Sequence, residues 1–247
     1  MGEVALGVAI IATINATIRF SVPITLGALS GIFSERSGIV NIGIEGMMLM
    51  AAFTGYMTNV ALSEAGVSDS LQATPVRLSI AVGVALLTGG MMGLLHGLMS
   101  IRYKVNQIIS GTVINILAGG LTGYFYQEQT KTLGKMPNLI DNPVHKSSGE
   151  YVLSLFGITE TLPHDLGDVL YNIGSVVLDK DLITYLSIVL VFILGWALFH
   201  TTWGLRTRSV GENPRAADTL GINVYRMQYT GVFLSGIFAG LAGAFLT

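Results

Sequence analysis

The 247-residue sequence contains no cysteine and only 11% charged residues. Without cysteine there is no disulfide and no thiolate metal site, and the compartment stays undecided. The shortage of charge says more. Soluble domains carry about 25% charged residues, so a chain that is 51% hydrophobic, with a mean hydropathy of +0.64, does not fold around a soluble core. No Lys or Arg precedes Arg19, and Glu3 is acidic. That is not the basic start of a cleaved signal peptide, so the first apolar run is expected to be kept. His96, His145, His164 and His200 have no His or acidic partner at metal spacing, and HExxH, GxSxG and Walker A patterns are absent. No metal site, no catalytic constellation and no nucleic-acid partner are expected. His96, beside Gly97, reads as a packed, hydrogen-bonded side chain.

What is present is a series of apolar runs, each near the ~20 residues a membrane helix needs. They predict an all-α polytopic membrane bundle of about six or seven transmembrane helices in one domain, residues 1–247, with broken or re-entrant segments. Val4–Phe33 is long for one span, and Pro23 removes a backbone donor. A helix to about Ile18 and a kinked or re-entrant continuation through Phe33 are expected. Further helices are expected over Met47–Leu62, Leu78–Ser100, Ile108–Tyr126, Leu182–His200 and Tyr229–Thr247. The last run stops with no cap, charged anchor or tail, which predicts a chain incomplete at its C-terminus.

The polar interruptions carry the organisation. Residues 101–107 and 201–227 hold six basic and two acidic residues between them, which places both in the cytoplasm. Gln127–Asp181, with eight acids and four lysines, then falls outside, and a short amphipathic helix is expected near Leu166–Leu178. Parity puts 63–75 outside and 34–46 inside. Within 201–227, Asn213 is suited to cap a first turn and Pro214 to open it. Ala216, Ala217 and Leu220 continue the helix, and Gly221 ends it. Such a helix is too short to persist alone and needs a surface to dock on.

Two other patterns stand out. Gly89, Gly93 and Gly97, Gly236, Gly240 and Ala244, and Gly119 with Gly123 each form a small-residue face suited to close helix contact. Leu29–Phe33 and Leu234–Phe238 are both LSGIF, read as chance repetition in a Leu/Gly-rich chain. Ser34–Gly46, SERSGIVNIGIEG, sets Asn41 and Glu45 among loosening glycines. A broken helix there exposes backbone groups to a polar solute. Asn106, Gln107 and Asn115 are candidates to face the same path. An ion-coupled transporter would need acids deep in spans, where only Glu45 qualifies. A membrane enzyme would need paired catalytic groups.

Three stretches resemble the permease subunits of ATP-binding-cassette importers in the nucleoside and simple-sugar branch, which is related to ribose and branched-chain amino acid permeases. They are LGALSGIFSERSGIVNIGIEGMMLMAAF (Leu26–Phe53), GLLHGLMSIRYKVNQIISGTVINILAGG, and WGLRTRSVGENPRAADTLGINVYRMQYTGVFLSGIFAGLAGAFL (Trp203–Leu246). The resemblance implies a subunit that forms the path for a nucleoside or simple sugar with a second permease, alike or different. Ribose-like sugars and branched-chain amino acids are the alternative solutes. It implies that ATP and Mg sit on partner ATPase subunits, that this chain binds no cofactor, and that an extracytoplasmic binding protein delivers the solute. The location implied is the plasma (inner) membrane of a prokaryote, in contact with membrane lipid. Residues 201–227 then resemble the coupling loop, with Gly211, Glu212, Asn213, Pro214, Arg215, Ala216, Ala217 and Gly221 meeting the ATPase. The general importer pattern is Glu-Ala-Ala, three residues, Gly. Ala216, Ala217 and Gly221 keep that spacing, Arg215 stands in place of the Glu, and the hydrophobic-Pro ending is missing. A nucleoside is polar and uncharged, which suits the amides of Asn41, Asn106, Gln107 and Asn115.

Overall fold

The computed structural model describes residues 2–64, 73–133 and 182–246. Eight α-helices follow in order among them: α1 (Gly2–Arg36), α2 (Ile44–Glu64), α3 (Ala73–Gly97), α4 (Gln107–Leu133), α5 (Leu182–His200), α6 (Thr202–Glu212), α7 (Pro214–Thr219) and α8 (Val224–Phe245). A π-helical turn, Leu98–Arg102, continues α3. Five of the described segments are long and apolar enough to cross a membrane: Thr13–Arg36, Val76–Arg102, Gln107–Gln127, Leu182–His200 and Val224–Phe245. The sixth long helix is α2, with 21 residues. The chain is a polytopic helical membrane protein. Most of the expected outer loop, residues 134–181, lies outside the described residues together with the helix expected near 166–178.

The bundle is built on α8. Buried residues make up 56% of its apolar stretch, against 17% for α5, so α8 is the hub and α5 the rim. Small residues make that position possible, because two backbones can meet where no side chain intervenes. A Cβ on Gly93 would lie 3.1 Å from the Gly236 Cα, and one on Gly89 would lie 2.7 Å from the Gly240 Cα. The α3 and α8 glycine faces therefore pack on each other. On the other side of α8, Leu26 and Leu29 of α1 pack with Leu241 and Ala242. The two LSGIF runs also meet here. Ser30 Oγ donates to the Ser235 carbonyl at 2.7 Å, and the Phe33 and Phe238 rings lie 5.4 Å apart. The Gly119–Gly123 face of α4 behaves differently, with nothing within 4 Å of a Cβ built at either position.

Two expectations need correction. Helix α1 does not break near Ile18 but runs unbroken through Pro23 to Arg36. Burial of Val22, Leu26 and Leu29 against Leu241 and Ala242 of α8 holds it, which outweighs the one ladder bond that Pro23 cannot make. The irregular backbone comes later, at residues 37–43 and at the π-helical turn before α4. Residues 201–227 contain two helices rather than one. The extra helix, α6, buries Gly204, Thr207 and Val210, a face of small residues with little apolar signal of its own. Its docking in the bundle, where it contacts α1, α5 and α8, supplies what the pattern lacks.

Candidate functional site

Between α1 and α2 the chain turns at Ser37 and Gly38, where Gly38 has φ 89°, and then runs as a short extended strap, residues 39–43. Its residues alternate, with Ile39, Asn41 and Gly43 buried and Val40 and Ile42 exposed, as an extended segment requires. A strap inside a helical bundle has no ladder to satisfy its amides and carbonyls. Side chains from three directions do so instead. Ser34 Oγ donates to the Ile39 carbonyl at 2.7 Å. The Val40 amide donates to Gln107 Oε1 at 2.7 Å. The Val40 carbonyl faces His96 Nε2 at 3.1 Å, which makes Nε2 the donor. In the neutral ring Nδ1 then accepts from Ser110 Oγ, 3.1 Å away. Asn115 Nδ2 donates to the Ile42 carbonyl at 3.1 Å, and Asn115 Oδ1 accepts from the Gly46 amide at 2.8 Å. Asn41 folds its Oδ1 onto the Gly43 amide at 3.0 Å and donates from Nδ2 to Ser235 Oγ at 2.9 Å. Because Ser235 stands about 16 Å along α8 from Val224, the strap dips into the bundle rather than lying at its end.

The polar residues expected to line a path therefore gather around one element. Asn41 is 6% exposed and lies inside the chain. Gln107 and Asn115 are half-buried, and Glu45, in the first turn of α2, is exposed. Asn106 is exposed and occupies the position that caps α4, accepting the Ile108 amide at 2.9 Å. Gly46 and Gly111 let α4 sit directly on the strap. A Cβ on Gly46 would be 2.7 Å from Asn115 Oδ1, and one on Gly111 would be 2.8 Å from the Gly43 nitrogen. His96 is packed and hydrogen-bonded, as its sequence context suggested, while Ser34, Ser30 and Ser235 are part of this network without having been singled out. The signal for these three in sequence is weak: scattered serines inside apolar runs.

The second element is the corner formed by α6 and α7. Asn213 caps α7 by accepting the Ala216 amide at 3.1 Å, with Pro214 opening the helix. At the other end Gly221, with φ 78°, donates to the Asp218 carbonyl at 2.9 Å while the Ile222 amide donates to Ala217 at 3.1 Å. This is the paired carbonyl-capping arrangement of a left-handed helix end. Only Ala217 of α7 is buried. Pro214, Arg215, Ala216 and Leu220 are exposed, Leu220 at 78%. Behind it, Gly211 of α6 packs on the end of α1, where its Cβ would meet the Arg36 carbonyl oxygen and lie 3.3 Å from the Gly38 nitrogen. The corner and the strap thus share Gly38 as a contact. The turn at Gly38 meets Gly211 of α6, and Gln107 at the start of α4 bonds the strap. No group of three or more His, Cys, Asp or Glu residues placed to hold a metal occurs among the described residues.

A family model described as the branched-chain amino acid transport system / permease component matches residues 13–247. The chain belongs to that family. A guanosine ABC transporter permease protein, NupQ of Bacillus subtilis (strain 168), is 37% identical over 241 residues, covering 93% of this chain and 65% of its own length. A nucleoside ABC transporter permease protein, NupC of Lactococcus lactis subsp. cremoris (strain MG1363), is 36% identical over 229 residues, with 91% and 63% covered. A putative glucose ABC transporter permease protein, TsgC13 of Haloferax volcanii, is 28% identical over 237 residues, with 95% and 62% covered. The chain thus spans under two thirds of the length of these relatives. No solved structure matches.

Proposed function

We propose that this chain is a permease subunit of an ATP-binding-cassette importer for a nucleoside, lining half of a path closed by a second permease. The observation that carries the reading is the corner: a short helix capped at both ends, exposed on nearly all sides, and backed by Gly211 against the turn that begins the strap. The relatives named as guanosine and nucleoside permeases support the solute class, and the TsgC13 relative keeps a sugar as the second reading.

In this reading ATP and Mg are bound and ATP is hydrolysed by partner ATPase subunits, whose cleft receives Gly211–Ala217 and Gly221 on the cytoplasmic side. Arg215 faces an acid or a neutral acceptor there. When the ATPases close, α7 and α6 move together, and the Gly211 contact passes the displacement to Gly38 and the strap. Glu45, Asn106, Gln107 and Asn115 stand on the exposed side and meet the solute. Asn41, inside the chain, holds the strap in shape. An extracytoplasmic binding protein delivers the solute on the face opposite the corner, and this chain binds no cofactor. The setting is the inner membrane of a prokaryote.

Uptake of labelled guanosine by the assembled transporter, with glucose and ribose as competitors, tests the solute. Guanosine uptake resistant to both sugars is expected, and sugar uptake resistant to nucleosides would reassign it. Deleting 213–217 tests the corner, because it should abolish uptake and crosslinking of residues 209–221 to the ATPase. Uptake at the parent rate after that deletion would sink the coupling role.

A further inference from the structure

The cytoplasmic-end corner of α5 and α6 holds a cation that no part of the transport reading uses. The Arg208 guanidinium carbon sits 5.0 Å from the centre of the Phe199 ring. Arg208 is half-buried, with its Nε buried and without a hydrogen-bond partner, so only the terminal N–H groups are left to meet an outside anion, and no carboxylate pairs with it among the described residues. A guanidinium stacked on an aromatic face keeps its in-plane N–H groups free for a planar or phosphate-type anion. Trp196, Phe199 and His200 line the same outer face of α5, 61% and 54% exposed for the first two. Trp196 and His200 stack at 6.5 Å. Helix α5 is long and apolar enough to cross a membrane, Trp196 stands exposed on it one turn before Phe199, and aromatics near the end of such a helix suit the membrane–water boundary. Helix α6 leaves this point with Leu205 and Arg206 both exposed, an apolar and a basic residue on the face turned away from the bundle.

We propose that Arg208, stacked on Phe199, binds the phosphate of an anionic membrane lipid whose acyl chains lie along Trp196. The docked ATPase is a poor fit for this arginine, because Phe199 holds its guanidinium against the last turn of a span rather than toward the exposed side of α7. A zwitterionic headgroup brings its own cation and gains less. Near an anionic surface a basic side chain contributes about 1 kcal/mol, so roughly fivefold enrichment of anionic over zwitterionic lipid is expected per arginine engaged. The site holds whichever solute is carried.

The chain has only two tryptophans, so Trp203→Phe leaves Trp196 as a single reporter. The full chain in this background is placed in nanodiscs containing brominated phosphatidylglycerol or brominated phosphatidylcholine at equal mole fraction, and quenching of Trp196 is compared. Preferential quenching by phosphatidylglycerol, lost in Arg208→Gln and kept in Arg208→Lys, is the expected result. Equal quenching by the two lipids, or a preference that survives Arg208→Gln in a folded protein, overturns the proposal. Loss of the preference on adding inorganic phosphate would assign the site to a free anion and also overturn it. So would unselective quenching combined with loss of the ATPase on purification of Arg208→Gln, which would give the arginine to the protein partner.

Discussion

Asn41→Ala separates a residue that holds the strap from one that touches the solute. In the parent, Asn41 Oδ1 accepts the Gly43 amide at 3.0 Å and Nδ2 donates to Ser235 Oγ at 2.9 Å. Truncation to alanine leaves Ser235 with Ser30, whose hydroxyl is 2.9 Å away, but orphans the amide of Gly43, which is buried. A buried donor without a partner costs about 1–3 kcal/mol, and with the lost packing of the amide the total comes to about 2–3 kcal/mol. Gln107→Ala makes the internal control. It frees the amide of Val40, which is exposed and can turn to water, so its cost is about 1 kcal/mol or less. Unfolding free energy from denaturant titration of the purified protein should rank Asn41→Ala well below Gln107→Ala, while guanosine affinity of the folded Asn41→Ala protein stays within about twofold of the parent. Asn115→Ala, which touches both strap and exposed face, should lose stability and affinity together. The double variant with Ser235→Ala should show coupling of at least about 0.5 kcal/mol, as bonded neighbours do. An Asn41→Ala protein as stable as the parent but unable to bind guanosine would refute the reasoning.

Other outcomes follow from the same contacts. Gly89→Ala drives a methyl into the Gly236 carbonyl and the Gly240 backbone and should destabilise by about 1–3 kcal/mol. Gly123→Ala meets open space and should be neutral or gain up to about 1 kcal/mol from helix propensity, with thermal melts reading both. Gly221→Ala forces a side chain into φ 78° at a cost of about 1–2 kcal/mol and should loosen the end of α7, seen as faster amide exchange at Leu220–Ile222. Gly211→Val collides with Arg36 and should lower uptake of labelled guanosine by the assembled transporter, because the link from α6 to the strap is pushed apart.

Helix α7 was legible because its signals are local. Asn213, Pro214 and Gly221 each act within one turn, through a side-chain acceptor, a fixed φ and a tolerated positive φ, and no distant residue has to cooperate. The long spans were legible for a similar reason, since length and hydropathy alone decide whether a segment suits the bilayer. Helix α6 was not, because its buried face is Gly204, Thr207 and Val210 and its stability comes from the bundle. The continuity of α1 was not, because a proline's cost depends on whether tertiary contacts, here those with α8, offset it.

Residue type also pointed to polar side chains that the fold gathers around the strap. Asn41, Gln107 and Asn115 were marked because amides among apolar runs need a reason to be there. Sequence determines that much, along with the membrane class, the span positions and the caps of α7, since all rest on transfer free energy or on geometry within a turn. Only the tertiary structure decides what those amides bond to. The strap's orphan backbone groups come within reach of His96, Gln107 and Asn115, and the Asn41 side chain within reach of Ser235, after α3, α4 and α8 have closed around it, and hydrogen bonds of about 3 Å cannot be read from separations along a chain.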